Sequence, residues 1–232
     1  MKVKALLLVG LILGCLGLTG CETTGLSLRE QGENNYSNII YGLSSQAASP
    51  RLTRLKDPFR LAVVQVGEQS PHPAMMRAIR ESDLPVTDLI PLPAAGLQIS
   101  GADKRSDIEA YVQKKVASML SLARSQGADY VFLFGGSADI GQKNNALQIL
   151  DLTIIGGFLI DSNTVFADGK AVGALVDVDT GSVVFLVSAD QSSSGGYPSF
   201  NFGARDEILG KFRQDLVQAL GGEFIRRTGL YL

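Results

Sequence analysis

The chain has 232 residues, 45% of them apolar, and its 21 basic against 23 acidic residues leave a formal net charge of −2. That balance argues against a nucleic-acid binder, which gathers a basic stripe; the densest basic positions here are the isolated pairs Lys114-Lys115 and Arg226-Arg227. The single histidine, His72, sits between Pro71 and Pro73 and has only Cys15 and Cys21 as sulfur company, so neither a zinc site nor a serine triad is supported, and His72 reads as a surface or capping residue.

The chain begins with Lys2 and Lys4, continues through an apolar stretch from Ala5 to Leu18, and then reads Thr19-Gly20-Cys21. About 14 apolar residues are too few to cross a bilayer, which takes roughly 20. Residues 1–20 therefore read as a removable signal peptide in preference to an uncleaved anchor. Leu18-Thr19-Gly20-Cys21 resembles the lipobox of bacterial lipoproteins. The resemblance implies cleavage between Gly20 and Cys21, a diacylglyceryl group on the Cys21 thiol, and an acyl chain such as palmitate on the new amino end. Cys15 fits less well, because the bulky Leu13 takes the position that Thr19 fills before Cys21. In Gram-negative lipoproteins the next residue influences sorting, and Glu22 in place of aspartate implies the outer membrane, at its periplasmic face. Two or more acyl chains, at about 0.8 kcal/mol per buried CH₂, make a stable anchor. Cleavage would leave 212 residues at a net charge of −4 with Cys21 as the one remaining cysteine, so no disulfide forms and the fold must stand on its core.

Residues 21–58 are rich in Gly, Ser, Asn, Gln and Thr and read as a tether. As a flexible coil of about 36 residues it would reach roughly 30 to 36 Å r.m.s.. Tyr36, Ile39, Ile40, Tyr41 and Leu43 form an apolar cluster unlike a linker, suited to docking on the domain or to serving as an epitope for a protein partner.

Residues 59–232 read as one periplasmic domain. Phe59 to Val66 is a β-branched run closed by Gly67 and predicts a buried strand. Ser70 and Pro71 predict the N-cap and first position of a helix carrying Met75, Met76 and Ile79, with Pro73 able to delay its start. Val86 to Leu92 predicts a second strand. Ser106-Asp107-Ile108-Glu109 matches a capping box ahead of Ile108, Val112, Val116, Met119, Leu120 and Ala123 at helical spacing, and Gly127 supplies the stop. Tyr130 to Phe134 is a third strand, with Gly135-Gly136-Ser137 read as chain reversal after it. Three more apolar runs, Leu147 to Ile160, Thr164 to Val178 and Val183 to Ala189, are separated by turn signals and predict antiparallel pairing. Ala204 to Arg227 predicts a final helix with a stripe of Ile208, Leu209, Phe212, Leu216, Leu220 and Phe224, with Gly221-Gly222 as a point where it would break early. The expected fold class is α/β: a single sandwich with one mixed sheet, parallel in its first half and antiparallel in its C-terminal hairpins, and about three helices.

Gln148 to Asp161 with its Ile154-Ile155-Gly156-Gly157-Phe158 centre, the turn from Asp177 to Ser182, and Gly127-Ala128-Asp129-Tyr130-Val131 together resemble the rhombotail lipoproteins. The element order is similar to the curli secretion channel lipoprotein, the penicillin-binding-protein activator lipoproteins and the TolB N-terminal domain. The resemblance spans about Phe59 to Arg227 and implies an envelope lipoprotein. Rhombotail proteins carry a C-terminal sorting tail, whereas Gly221-Gly222 here leads only into Glu223-Phe224-Ile225-Arg226-Arg227 and a short end.

Catalytic motifs are sparse. Asp179-Thr180-Gly181 matches the aspartic-protease tripeptide, but that chemistry needs two carboxylates sharing a proton, and hairpin chemistry with Gly181 at positive φ explains it better. Gly135-Gly136-Ser137 lacks the Lys-Ser/Thr of a phosphate loop. Asp161, Asp168, Asp177 and Asp179 offer oxygen ligands for calcium, yet stand where strands end in turns. No catalytic residue, metal or cofactor is expected beyond the lipid on Cys21. The expected role is non-enzymatic: a membrane-anchored domain that binds another cell-envelope protein, with oligomerisation open. The alternative is a subunit of an oligomeric outer-membrane secretion pore like the curli channel; an envelope hydrolase is a third class. Against the pore, Leu147, Ile149 and Leu150 followed by Leu152, Ile154 and Ile155 break the alternation that membrane strands require.

Replacing Cys21 tests the anchor: Cys21→Ala should accumulate as unprocessed precursor that takes up no radiolabelled palmitate, and continued labelling of that variant would refute the assignment.

Overall fold

The computed structural model describes residues 54–94, 105–144, 163–197 and 203–232. The signal peptide, Cys21, the Tyr36 to Leu43 cluster, Asp161 and the Leu147 to Ile160 run lie outside the described residues.

The first strand, β1 (Phe59–Gln65), buries Leu61, Ala62, Val63 and Val64 in succession. Such an unalternating run fits a strand covered on both faces. It is the parallel centre of the sheet: Ala62 stands opposite Ile90 of β2 (Val86–Pro91) and Val131 of β3 (Tyr130–Asn144). Helix α1 (Pro73–Arg80) connects β1 to β2, and α2 (Arg105–Ser125) connects β2 to β3. The chain then turns antiparallel through β4 (Asn163–Asp177) and β5 (Val183–Tyr197) before α3 (Ala204–Gly229), giving the sheet order β2-β1-β3-β4-β5. The α/β class and the mixed sheet, parallel and then antiparallel, are those expected from the sequence.

Alternation along β3 feeds two cores. Tyr130, Phe132 and Phe134 join Met75 and Ile79 of α1 and Leu209, Phe212, Leu216, Leu220 and Phe224 of α3 on one face. Val131 and Leu133 join Val116, Met119, Leu120 and Ala123 of α2 on the other. The aromatic centre of the larger core is Phe132, stacked 4.0 Å from Phe224 and 5.6 Å from Phe134 between ring centroids. Pairs of this kind contribute about 0.5–1.5 kcal/mol beyond their buried area.

Several local expectations give way to tertiary context. Helix α1 starts at Pro73, and His72, not Ser70, is its N-cap: its Nδ1 accepts the Ala74 N–H at 3.2 Å. Two prolines so close leave only the second at the head of the helix, and the histidine between them is the capping residue. Helix α2 is already helical at Arg105, which places Ser106 inside the first turn and not ahead of it. Gly127 does stop that helix, at φ +72°. Gly135-Gly136 does not reverse the chain. Strand β3 runs straight through it to Asn144, Gly135 facing Val172 and Gly136 facing Ala171 across the ladder. A Cβ at position 136 would stand 3.0 Å from the Lys170 carbonyl oxygen, so glycine there suits a tight strand pair. Gly221-Gly222 does not break α3 either. Gly221 is buried, and a Cβ on it would meet Ala78 Cβ at 3.3 Å and Met75 Sδ at 3.4 Å, so the missing side chain seats α1 against α3. Two helical glycines cost about 1 kcal/mol each relative to alanine, which burial of the neighbouring Leu220 and Phe224 offsets.

The α3 face of the antiparallel strands is thinned by glycines. A Cβ at Gly173 would come within 2.5 Å of the Phe132 ring, one at Gly169 within 2.7 Å of Phe212, and one at Gly195 within 2.9 Å of Ile208. Phe132 is fully buried and held by Phe134 and Phe224, so it has nowhere to move. Gly173→Ala should therefore lower unfolding free energy by about 1–3 kcal/mol through overpacking. Urea unfolding followed by circular dichroism measures this, and an unchanged midpoint would contradict it.

Candidate functional site

The main concentration of charged and polar contacts among the described residues lies where the chain enters the domain. The start of β1, the start of β3, the β4–β5 turn and the C-terminal end of α3 converge there. Asp129 follows the Gly127 stop, and its backbone ties β1 to the turn: its N–H donates to the Arg60 carbonyl at 2.9 Å, and its carbonyl accepts the Val178 N–H at 3.0 Å. Its carboxylate is engaged at both oxygens. Oδ2 accepts the Arg60 N–H at 2.8 Å, and Oδ1 takes the Lys56 ammonium at 2.7 Å. Lys56 Nζ also lies 3.5 Å from Asp179 Oδ2, and the Arg60 guanidinium pairs with Asp88 of β2 at 2.8 Å.

The segment before β1 is fastened by more than charge. The Leu55 side chain is 4% exposed, and its N–H donates to the Tyr231 carbonyl at 2.8 Å. The Lys56 N–H donates to the Tyr130 hydroxyl at 3.0 Å, and Arg54 Nε donates to the Leu232 carbonyl. Arg124, in the last turn of α2, donates to the carbonyls of Val178 and Asp179, which fixes the turn that carries Asp179. Packing thus begins four residues before Pro58, within the stretch read as tether.

Electrostatics make this a clamp. Partial burial pushes the Asp129 carboxyl up, but the Lys56 ammonium and the Arg60 N–H together outweigh it and hold the group below its ordinary range. The hydrogen bond that Lys56 donates to Asp129 in turn raises Lys56, against a small opposing effect of burial. Burial raises the Tyr130 phenol. A carboxylate held ionised by a contacting ammonium is a poor general base, and a phenol pushed up is a poor acid at neutral pH.

The residues singled out from sequence divide clearly. Gly20, Cys21, Tyr36, Ile39, Ile40, Tyr41 and Leu43 lie outside the described residues. Asp177 caps the β4–β5 turn, its Oδ1 accepting the Thr180 N–H at 2.8 Å and hydroxyl at 2.9 Å, and Gly181 sits at φ +70°, as hairpin chemistry requires. Asp168 accepts the Ser192 hydroxyl at 2.5 Å. It stands nine positions from Asp177 on one strand, about 30 Å at ~3.4 Å per residue, so the two cannot share a calcium ion. Sequence reasoning missed Lys56 and Asp129 as a pair: they are 73 positions apart, and the Gly127 to Val131 stretch that carries Asp129 gives no sign of Lys56.

Removing the clamp carboxylate tests its weight. Asp129→Ala should cost about 1–3 kcal/mol at pH 7, because it leaves a partly buried N–H and an ammonium without their charged acceptor. A carboxyl lowered on folding stabilises above its unfolded value near 3.8, and that contribution is lost as pH falls through the folded value. The gap between wild type and Asp129→Ala should accordingly narrow in urea titrations taken from pH 7 down to pH 3; a gap independent of pH would refute the assignment.

No protein-family model matches the chain, and no curated protein matches its sequence. Solved structures resemble it at low similarity. The PelC dodecamer from Paraburkholderia phytofirmans is 14% identical with a TM-score of 0.33, over 72% of this chain and 88% of that one. A minor lipoprotein from Acinetobacter baumannii is 5% identical with a TM-score of 0.32, over 75% and 92%. Lipoprotein GNA1162 from Neisseria meningitidis is 16% identical with a TM-score of 0.29, over 67% and 96%. At these TM-scores the likeness assigns nothing to this chain.

Proposed function

We propose that this chain is an outer-membrane lipoprotein, acylated at Cys21, whose periplasmic α/β domain acts without catalysis by binding another cell-envelope protein. The observation that carries the reading is the clamp at the chain's entry: Leu55, Lys56 and Arg54 fasten the segment arriving from Cys21 to Tyr231, Asp129, Tyr130 and Leu232. A domain gripped at its lead-in is held by the anchor at a defined end. The lysine-led apolar run ending in Leu18-Thr19-Gly20-Cys21 supplies that anchor, and Glu22 favours the outer membrane. No helix among the described residues is long and apolar enough to cross a membrane. The resemblance to rhombotail lipoproteins fits the same reading. Support for a non-enzymatic role comes from what the polar groups already do: His72 caps a helix, Asp177 caps a turn and Asp129 is paired at both oxygens.

One observation favours the pore alternative: β3, β4 and β5 each run 15 residues, beyond the 9–11 or so of a membrane strand. The exposure pattern opposes it. On β4 and β5, one face packs on α3, and the other carries exposed Asp168, Lys170, Asp190 and Ser192, with Lys170 and Asp190 3.5 Å apart. A lysine on a lipid-facing strand costs about 2–4 kcal/mol at the bilayer midplane.

Crosslinking in intact cells decides between the readings. The binding role is expected to give one envelope protein captured by the wild type and lost with Cys21→Ala. Capture of copies of this chain alone, as rings visible by electron microscopy after detergent extraction, would overturn it in favour of the pore.

A further inference from the structure

The two edges of the sheet are unlike. Strand β2 is six residues long, is bounded by Pro85, Pro91 and Pro93, and carries Asp88 in an ion pair with Arg60. Short length, proline and charge are the devices that stop an edge from recruiting another strand. Strand β5 has 15 residues, no proline and one charged side chain, Asp190, and among the described residues it pairs with β4 alone. It presents a long row of backbone groups of the kind that takes an added strand. Beside it the α3-face core thins to partly buried apolar residues: Tyr231 packs 5.2 Å from Phe185, Ala189 lies on β5, and Ile208 lies under Gly195.

We propose that the edge of β5 is occupied by residues 36–43 of the same chain, added as a sixth strand. Three observations select this occupant. The chain enters the domain at Leu55, whose N–H bonds to Tyr231, and Tyr231 packs on Phe185 at the start of β5. The 12 steps from Leu43 to Leu55 reach up to about 40 Å when extended, whereas Asp190, at the middle of β5, is only about 17 Å from Phe185 at ~3.4 Å per residue. The segment itself is uncharged, rich in Tyr and Ile, and places Ile39, Tyr41 and Leu43 on one face at strand spacing. That face continues the one on which β5 carries Phe185, Val187 and Ala189. A second copy of the chain offers an edge of the same kind, but a short intramolecular connection gives an effective concentration in the millimolar range, which favours the attached segment. The pairing does not depend on lipidation of Cys21.

The test uses the full mature protein in detergent with the photoreactive residue p-benzoylphenylalanine in place of Tyr41. Irradiation should attach position 41 to peptides within Val183–Tyr197 of the same chain, to an extent independent of protein concentration. Attachment elsewhere in the domain, or crosslinked dimers that grow with concentration, would overturn the proposal. In parallel, deleting residues 36–43 should speed amide hydrogen exchange in β5 by about tenfold or more while β1 and α2 stay protected; unchanged exchange in β5 would count against the sixth strand even if the crosslink formed.

Discussion

The contact on which most of this molecule depends is the seating of α3 on a sheet face stripped of side chains at Gly169, Gly173 and Gly195. Phe212, Phe132 and Ile208 occupy the space that Cβ atoms would take. That close approach lets Phe224 stack on Phe132 and reach Phe185 on β5, 6.0 Å between centroids. It also fixes where α3 ends. Tyr231 and Leu232, just beyond the helix, are then in place to accept hydrogen bonds from Leu55 and Arg54. The grip on the incoming chain is thus a consequence of packing set some 20 Å or more along the helix, at 1.5 Å per residue from Phe212.

What was legible in the sequence was whatever a single element decides for itself. The run from Leu61 to Val64, the Gly127 stop and the Asp177 to Gly181 turn follow from local apolar content and from φ > 0 requirements, and they stand where expected. What was not legible depends on a partner distant in sequence. Gly135-Gly136 reads as a turn until β4 is laid beside it and takes up its backbone groups. Gly221-Gly222 reads as a break until Met75 and Ala78 are seen to need the space. The Ser-rich second half of β5 has little strand propensity of its own and is held extended by pairing with β4. The clamp had no signature as a site, because a lysine before one strand and an aspartate before another become one only when parallel pairing aligns β1 with β3.

The same alignment explains why charge at this site does structural work. Ion pairs exposed to water contribute little singly, and Lys56, half exposed, adds little by itself. Asp129 differs because one carboxylate joins the Arg60 backbone, the Lys56 side chain and, through its own backbone, the β4–β5 turn. Protonating that carboxylate would weaken its two side-chain contacts together, while the backbone bond to the turn stays.

The clamp and the far tip of the long strands lie at opposite ends of the molecule. From Asp177 beside the clamp to Asn163 is 14 steps along β4, close to 50 Å at ~3.4 Å per residue. Leu55 and Lys56 fasten the incoming chain at the near end, and the three-stranded ribbon of β3, β4 and β5 runs away from it. Its exposed face mixes Phe166, 41% exposed, with the Asp168–Ser192 and Lys170–Asp190 pairs. One aromatic among satisfied polar pairs is the composition of a rim and not of a buried core. The gripping contacts thus gather at one end of the ribbon and the polar, aromatic-bearing face lies toward the other, with α3 packed along the opposite face of β4 between them.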